Sequence, residues 1–358
     1  MAAKFVPRTV FSFSESIPRS YFLGHHKAGL EKMKKKVDSV DYVIECRDIR
    51  IPVTSINPLF EEALGGKKRL IVYTKRDLLN TNSVFRKNKE RMRKLDEKTP
   101  VFYTTSTFAF SAKQILQQLK SDAQRLQDFG SCQVMVVGMP NVGKSTLINC
   151  LRNAGVFKAK VVHTGAEPGI TRKVGTPIKI LDDPNRSAVY VLDTPGVFVP
   201  YMPDGEKMLK LALCGCVKDT IIAPVTIADY LLYHINKNQP VVYQKWCEPT
   251  NDIHHFLEKF AQQTGLLGKG GMPNIDQAAL HFVHKWRAGE MGSFLLDDIQ
   301  LELSERKRAR LEEPSFGKEG RREAKIEADK IAGRRRKERK KEEQQQHDIE
   351  ITPNSMLK

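Results

Sequence analysis

The segment Gly138-Met-Pro-Asn-Val-Gly-Lys-Ser145 carries glycine, lysine and serine at the spacing GxxxxGKS, which suits it to bind phosphate groups. Its glycines allow successive backbone N–H groups to curl around a phosphate, Lys144 adds a positive charge, and the Ser145 hydroxyl can ligate Mg²⁺. An apolar run ending at Val137 precedes the segment, and a helical run, Thr146–Leu151, follows it. This context favours a nucleotide phosphate loop, with contacts from Asn141, Val142, Gly143, Lys144, Ser145 and Thr146.

A second polar segment, Asp193-Thr-Pro-Gly196, follows an apolar run and suits the other half of such a site. Asp193 can hold Mg²⁺ through water, and the Gly196 N–H can face the terminal phosphate. Between the two segments, the Thr171 hydroxyl can reach Mg²⁺ only when that phosphate is present, which would define a switch. Taken alone, Asp193–Gly196 is a turn sequence and Thr171 an ordinary loop residue. The upstream phosphate loop favours a metal site of Ser145, Thr171 and Asp193, with Lys144 and Thr171 as catalytic candidates.

The segment Thr74-Lys-Arg-Asp77 resembles the NKxD motif with which GTPases recognise guanine, with Thr74 in place of asparagine. The Asp77 carboxylate can accept two N–H donors from the guanine edge, which adenine does not offer, and the stem of Lys75 can lie across the ring. Asp77 therefore argues against a plain ATPase. Thr105 and Ser106, which follow the run Val101–Tyr103, can offer a backbone N–H to the guanine carbonyl. The predicted base contacts are Thr74, Lys75, Arg76, Asp77, Thr105 and Ser106.

The residues that follow Gly196 bear on the rate of hydrolysis. Many GTPases place a glutamine there to orient the attacking water. This chain has Val197 and Phe198, whose side chains neither donate nor accept a hydrogen bond. We therefore expect slow intrinsic hydrolysis and a catalytic group supplied from elsewhere.

The elements that must position these segments alternate between strand and helix from about residue 37 to 205. Short apolar runs separated by helical periodicity predict an α/β domain, a parallel sheet with helices on both faces. After residue 205, apolar residues recur every three to four positions, which predicts a small helical domain over 206–300. Residues 301–358 are too polar to bury a core and predict a disordered or helical basic tail. Residues 1–36 form a basic N-terminal arm.

Composition narrows the class of protein. The chain has 358 residues, 40% of them hydrophobic, and no apolar run long enough for a membrane span. Its six cysteines include no CxxC pair, which argues against a zinc site and a secreted disulfide framework. The two basic ends carry most of the net charge of +17, and this suits either a polyanionic partner or merely a solvated surface. Residues 1–20 resemble a mitochondrial transit peptide, although any short basic arm has a similar composition.

The order of the motifs distinguishes this chain from ordinary GTPases, because the base-recognition segment precedes the phosphate loop. This order resembles that of the circularly permuted GTPases that assemble ribosomes, of the ribosome biogenesis GTPase A type. Tyr21-Phe-Leu-Gly-His25 is similar to the WFPGH motif that opens this family, and Asp48-Ile-Arg-Ile-Pro52 to its DARIP segment. The family's C-terminal signature is similar to Gly270–Asp276, Arg287–Gly292 and Leu296-Asp297. The resemblance covers about residues 20–300.

The resemblance, strongest to the mitochondrial members of the family, implies a circularly permuted GTPase domain and a role in assembling the large subunit of the mitochondrial ribosome. It implies GTP and Mg²⁺ as cofactors and a matrix location peripheral to the inner membrane. His25 is the implied catalytic histidine, although contact with RNA phosphate is the alternative. Asn141 resembles the asparagine with which potassium-activated GTPases hold K⁺. We expect the basic ends to contact ribosomal RNA through its phosphates, and we expect no DNA partner.

Two other functions remain open at this point. One is an RNA-binding scaffold with a weak nucleotide site, which Thr74 and Val197 would allow and the intact Lys144, Ser145 and Asp193 disfavour. The other is a GTPase in tRNA modification or signalling, which would need a further catalytic domain or a lipid anchor.

Overall fold

The computed structural model describes residues 5–12, 17–21, 24–64, 66–79, 82–105, 109–125, 131–158, 162, 175–183, 186–199, 201–202 and 204–312. They fall into two units, Met1–Leu303 and Ser304–Lys358, and the described part of the second is helical up to Glu312. The predicted Ser106 and Thr171, and the tail beyond residue 312, lie outside the described residues.

The first unit is built on a six-stranded sheet. Its strands are β1 (Tyr42–Asp48), β2 (Arg69–Thr74), β3 (Val101–Tyr103), β4 (Cys132–Gly138), β5 (Ile178–Asp183) and β6 (Arg186–Asp193). The strand order is β3-β2-β1-β4-β6-β5, and all neighbours are parallel except β5, which pairs antiparallel with β6 at one edge. The predicted α/β fold with a parallel sheet is confirmed. The antiparallel edge strand was not predicted.

Helices cover both faces of this sheet. They are α1 (Gly24–Lys36), α2 (Pro58–Leu64), α3 (Asn82–Leu95), α4 (Ala109–Arg125) and α5 (Lys144–Val156). Alternate residues of the central strands are buried on opposite sides, as the period of two in a strand requires. On β1, Val43 belongs to the core shared with α1 and α2, whereas Ile44 belongs to the core shared with α4 and α5. Helix α1 was not predicted, and its Met33 is fully buried.

The described part of the chain after β6 contains helices and no further strand of the sheet. Its helices are α6 (Gly205–Leu213), α7 (Pro224–Asn238), α8 (Ile253–Thr264), α9 (Ile275–Arg287) and α10 (Ile299–Glu312). Asp204, Asp252 and Asn274 begin α6, α8 and α9 by accepting backbone N–H bonds with their side chains. Helices α8 and α9 pack through aromatic side chains, including Phe256 and Phe282 with ring centroids 4.7 Å apart. No helix among the described residues is long and apolar enough to cross a membrane.

Candidate functional site: a phosphate loop beside a base cavity

The phosphate loop joins the central strand β4 to helix α5. The Lys144 ammonium donates to the carbonyls of Met139, at 2.8 Å, and Gly138, at 3.3 Å, and so closes the loop on itself. Burial lowers the pKa of Lys144, and the nearby Asp193 carboxylate opposes that shift. Gly138 has φ 152°, and a Cβ there would lie 2.5 Å from the carbonyl oxygen of Cys46 on the neighbouring strand. The loop therefore needs glycine at this position.

Asp193 lies at the carboxyl end of β6, which pairs with β4, so both segments reach the same edge of the sheet. The Ser145 hydroxyl donates to Asp193 Oδ2 at 3.3 Å. Thr194 fixes the strand end by donating to the Val136 carbonyl at 2.6 Å. The structure thus brings together two of the three predicted metal ligands; both offer oxygen atoms, the donor type that Mg²⁺ prefers.

Gly196 approaches the phosphate loop more closely than any larger residue could. A Cβ on Gly196 would lie 2.5 Å from Cα of Pro140 and 3.1 Å from Nζ of Lys144. The next N–H, from Val197, donates to the Gly138 carbonyl at 3.3 Å. The two predicted phosphate-binding segments are therefore in direct backbone contact.

The predicted base-recognition segment, Thr74–Asp77, contacts the phosphate loop from the end of β2. The Thr74 hydroxyl lies within hydrogen-bond distance of the Val142 carbonyl and 3.1 Å from that of Arg47. Lys75 has φ 58°, in the left-handed region, and its ammonium donates to the Asn141 carbonyl at 2.7 Å. The same ammonium lies 2.9 Å from Asp48 Oδ2. Thr74 therefore joins β2 to the phosphate loop in the place of the usual asparagine.

A cavity of about 300 Å³ opens beside these contacts. The predicted site residues that line it are Thr74, Lys75, Asp77, Thr105, Asn141, Gly143 and Thr146. Arg76 does not line it, because its guanidinium lies over the Phe85 ring, 4.6 Å from the centroid. The cavity has the polar groups and the position, next to the phosphate loop, that a nucleotide base requires.

The wall of the cavity also includes Arg287 and Ala288, at the end of α9, which sequence reasoning did not assign to the site. Arg287 makes a two-pronged ion pair with Asp219, at 2.6 and 2.9 Å, and donates to the carbonyls of Ala212 and Leu213. Burial opposes ionisation of Asp219, but its bonds from Arg287 and His284 outweigh this and lower its pKa. The position of Arg287 in the family-like segment Arg287–Gly292 was the signal that could have found it.

Asn141 connects the phosphate loop to the helical region. It has φ 54°, and its side-chain amide donates to the Gly215 carbonyl at 3.2 Å. Gly215 has φ 76°, and a Cβ there would lie 2.9 Å from Asn141 Nδ2. The loop that follows α6 is therefore fitted closely to the phosphate loop.

The two apolar residues after Gly196 are fully buried. The Phe198 ring lies edge to face with Tyr21 and stacks with His26, at centroid distances of 5.6 and 6.3 Å. The Val197 carbonyl accepts a bond from Asn57 Nδ2 at 2.8 Å. His25 lies in the first turn of α1, and its side chain is outside the described part of the structure. The side chains of Val197 and Phe198 have no donor or acceptor that could orient a water molecule.

The order of these segments along the chain, compared with the strands that they follow, defines the class of protein. The predicted base-recognition residues lie at the carboxyl ends of β2 and β3, the predicted phosphate loop follows β4, and the second predicted phosphate-binding segment follows β6. This is a P-loop GTPase fold in circularly permuted order, followed by a helical C-terminal region.

Comparison with known proteins gives the family. The sequence profile of the 50S ribosome-binding GTPase family matches residues 133–265. Mitochondrial GTPase 1 of Schizosaccharomyces pombe is 36% identical over 313 residues, which cover 82% of this chain and 94% of the relative. Mitochondrial ribosome-associated GTPase 1 of Mus musculus is 36% identical over 298 residues, which cover 77% and 89%. The crystal structure of GNP-bound YlqF from T. maritima superposes with a TM-score of 0.50 at 24% identity, over 75% of this chain and 98% of that one, and shows the same fold.

The chain belongs to the mitochondrial GTPase 1 family, and it is a GTP-binding, GTP-hydrolysing enzyme of mitochondria.

Proposed function

We propose that this chain is an assembly factor for the large subunit of the mitochondrial ribosome, which it binds as a GTP-dependent switch. The observation that carries the proposal is the burial of Val197 and Phe198 directly after Gly196. A GTPase whose own water-positioning residue is absent at this position hydrolyses GTP slowly until another group completes the site. A ribosomal partner supplies that trigger, in keeping with the ribosome-associated name of the relatives.

The nucleotide is held by two groups of residues, one at the phosphates and one at the base. The phosphates lie against the backbone of the loop from Asn141 to Thr146 and the Lys144 ammonium, and Gly196 faces the terminal phosphate. The base occupies the cavity, with Asp77 accepting from its edge, the Lys75 stem against its face, and Thr105 and Ser106 at its carbonyl. Thr74 and Arg76 support this segment from behind the base. Contacts between the loop and the base segment support this division, because they hold the two parts of the nucleotide at a fixed distance.

Ser145, Thr171 and Asp193 hold Mg²⁺, which stabilises negative charge on the phosphates during hydrolysis. The contact between Ser145 and Asp193 supports this set, since the two oxygens are close enough to share one ion or its water shell. Thr171 joins the set when the terminal phosphate is bound, and so acts as the switch. Asn141 contributes to a K⁺ site beside the phosphates.

The basic ends of the chain contact ribosomal RNA. The clusters Arg334-Arg-Arg-Lys337 and Arg339-Lys-Lys341 supply positive charge without interleaved aromatic residues, which suits phosphate contacts rather than base stacking. The protein acts in the matrix, peripheral to the inner membrane.

His25 is the catalytic histidine, which the bound subunit brings to the terminal phosphate. The alternatives, an RNA-binding scaffold or a GTPase of tRNA modification or signalling, are not favoured by the named relatives.

The test is the rate of GTP hydrolysis by the purified protein, in potassium buffer, with and without mitochondrial large ribosomal subunits. We expect a low basal rate that the large subunit raises at least tenfold, with ATP hydrolysed in neither case. Small subunits at the same concentration are the matched control. Equal rates with and without large subunits would contradict the proposal. Equal rates of GTP hydrolysis in potassium and sodium salts would contradict the proposed K⁺ site and leave the rest of the proposal unaffected.

A further inference from the structure

A buried carboxylate with no part in the phosphate or base contacts described above lies behind the base cavity. Asp48, the last residue of β1, is fully buried. Its carboxylate accepts from the Arg50 guanidinium at 2.8 and 3.0 Å, and from the Arg50 backbone N–H at 3.0 Å. The Lys75 ammonium lies 2.9 Å from the same carboxylate. One carboxylate therefore binds two cations that belong to different parts of the molecule.

Lys75 is placed by this carboxylate. A lysine side chain is long and flexible, and its ammonium has three donors that seek acceptors. Here the ammonium sits between the Asp48 carboxylate and the Asn141 carbonyl, at 2.9 and 2.7 Å. With both acceptors fixed in the fold, the stem of Lys75 lies along the cavity wall instead of extending into solvent. Asp48 thus determines where the apolar stem meets a base.

Arg50 links the same carboxylate to the helical region. Its guanidinium lies over the Trp286 ring, 4.7 Å from the centroid, and Nη2 is 3.5 Å from the Cys214 carbonyl. Trp286 directly precedes Arg287, which forms part of the cavity wall. The carboxylate is therefore connected to two parts of the cavity lining, to Lys75 directly and to Arg287 through Arg50 and Trp286.

We propose that Asp48 is a positioning residue for guanine recognition, which holds Lys75 against the base and, through Arg50, holds the end of α9 at the cavity wall. This rests on the base-binding role of Lys75 and Asp77 in the proposed function. Burial opposes ionisation of Asp48, but Arg50 and Lys75 outweigh it and hold the pKa of this carboxyl below its usual range. Asp48 is therefore charged throughout the physiological range, as a fixed anchor requires.

The test compares two buried carboxylates of the same strand. Asp48→Asn removes the anchor of Lys75, whereas Glu45→Gln removes a buried carboxylate whose partners are Arg47 and Arg69. Because the contact of Lys75 with the base is the same before and during hydrolysis, its loss raises KM and leaves kcat unchanged. We expect Asp48→Asn to raise KM for GTP about tenfold and Glu45→Gln to change it less than twofold. In a Lys75→Met background, Asp48→Asn adds less than a twofold further effect.

Equal effects of Asp48→Asn and Glu45→Gln on KM would overturn the proposal, as would a full effect of Asp48→Asn in the Lys75→Met background. If Asp48→Asn does not fold, the variant Asp48→Asn/Arg50→Met removes one charge of each sign, and its KM is compared with that of Arg50→Met alone. A difference under twofold would then refute the proposal. Asp77→Asn, assayed with GTP and XTP, distinguishes a failure of the proposed guanine site from a failure of the proposed role of Asp48. Unchanged base preference in that variant refutes the guanine site itself, whereas a switch towards XTP leaves only the role of Asp48 to be decided.

Discussion

Phe198 lies edge to face with Tyr21, with 5.6 Å between the ring centroids, and both side chains are buried. Tyr21 opens the N-terminal motif, and Phe198 lies two residues after the glycine that faces the phosphate loop. The N-terminal segment therefore covers the backbone directly downstream of that glycine. The Phe198 side chain is buried in the core that contains Tyr21, and the Val197 side chain is buried in the core shared with α1 and α2.

Replacing Val197 with glutamine should not restore intrinsic hydrolysis. Val197 is fully buried, so an amide there would lose its hydrogen bonds to water without reaching the nucleotide. We expect Val197→Gln to lower the free energy of unfolding by about 1–3 kcal/mol and to leave the basal rate at or below that of the wild type. Denaturant unfolding and GTP hydrolysis measure the two effects. Val197→Ala serves as the control for lost packing, and a tenfold faster basal rate in Val197→Gln would contradict the prediction.

Gly196→Ala should disable the phosphate site. The added Cβ would lie 2.5 Å from Pro140 Cα, a contact that the backbone has to relieve by moving. We expect at least a tenfold loss of kcat/KM for GTP and about 1–3 kcal/mol of lost stability. Gly268→Ala is the matched control, because its Cβ would meet its nearest neighbour at an ordinary 3.7 Å. Comparable activity in the two variants would show that the close approach is not needed.

Thr74→Val tests the contact between the base segment and the phosphate loop. Valine keeps the shape of threonine and removes the hydroxyl that lies against the Val142 carbonyl. We expect nucleotide affinity to fall about three- to tenfold, which corresponds to about 1 kcal/mol for one hydrogen bond. Thr74→Ser keeps the hydroxyl and should bind GDP within twofold of the wild type. Equilibrium binding of fluorescent GDP distinguishes the outcomes, and equal weakening in both variants would argue for packing instead.

His234 should make the protein less stable in mild acid. Burial among aromatic rings, assisted by Lys210 and Lys237, lowers its pKa to about 3, and its Nε2 has no hydrogen-bond partner among the described residues. In the unfolded chain His234 binds a proton below its ordinary pKa of 6.5, whereas in the folded chain it stays neutral until the pH is much lower. The free energy of unfolding therefore falls as the pH drops. The contribution is up to about 1.4 kcal/mol per pH unit between pH 6 and 4.

The variant His234→Phe keeps the stacking on Phe294 and removes the titrating group. We expect its free energy of unfolding to depend less steeply on pH over this interval, as measured by denaturant titrations at several pH values. His255 is exposed on α8, and His255→Gln should keep the wild-type slope. A steep slope in His234→Phe would place the sensitivity elsewhere.

The motif-bearing elements could be predicted because local pattern and global fold agree there. The buried apolar runs that end near Thr74, Gly138 and Asp193 became the parallel strands β2, β4 and β6, with β1 between β2 and β4, and their carboxyl ends bring the three segments to one edge of the sheet. Strand β5 was missed because its short, partly polar sequence is stabilised by pairing with β6 rather than by its own pattern. Helix α1 was missed because its many lysines conceal the few apolar residues, such as Met33, that it buries.

The helical side of the cavity could not be predicted from motifs. Arg287 is far along the chain from the phosphate loop, and its position depends on Asp219 and on the end of α6. Asp48 was found only as part of a family-like segment, since nothing in sequence spacing indicates that its carboxylate would meet Lys75. Tertiary contacts of this kind leave no periodic signal, so their place in the site becomes visible only with coordinates.

The cavity wall at Arg287 and Ala288 also bears on the order of events during synthesis. Asp77 and Ala288 line the same cavity, yet more than half of the chain is translated between them. Gly289, the next residue, has φ 90° and packs within reach of Leu78, which closes the same wall. A nascent chain that already contains every nucleotide motif still lacks a complete base cavity until the residues around Gly289 have left the ribosome and docked. We therefore expect tight guanine nucleotide binding only after synthesis has passed the residues around Gly289 and these residues have folded onto the cavity.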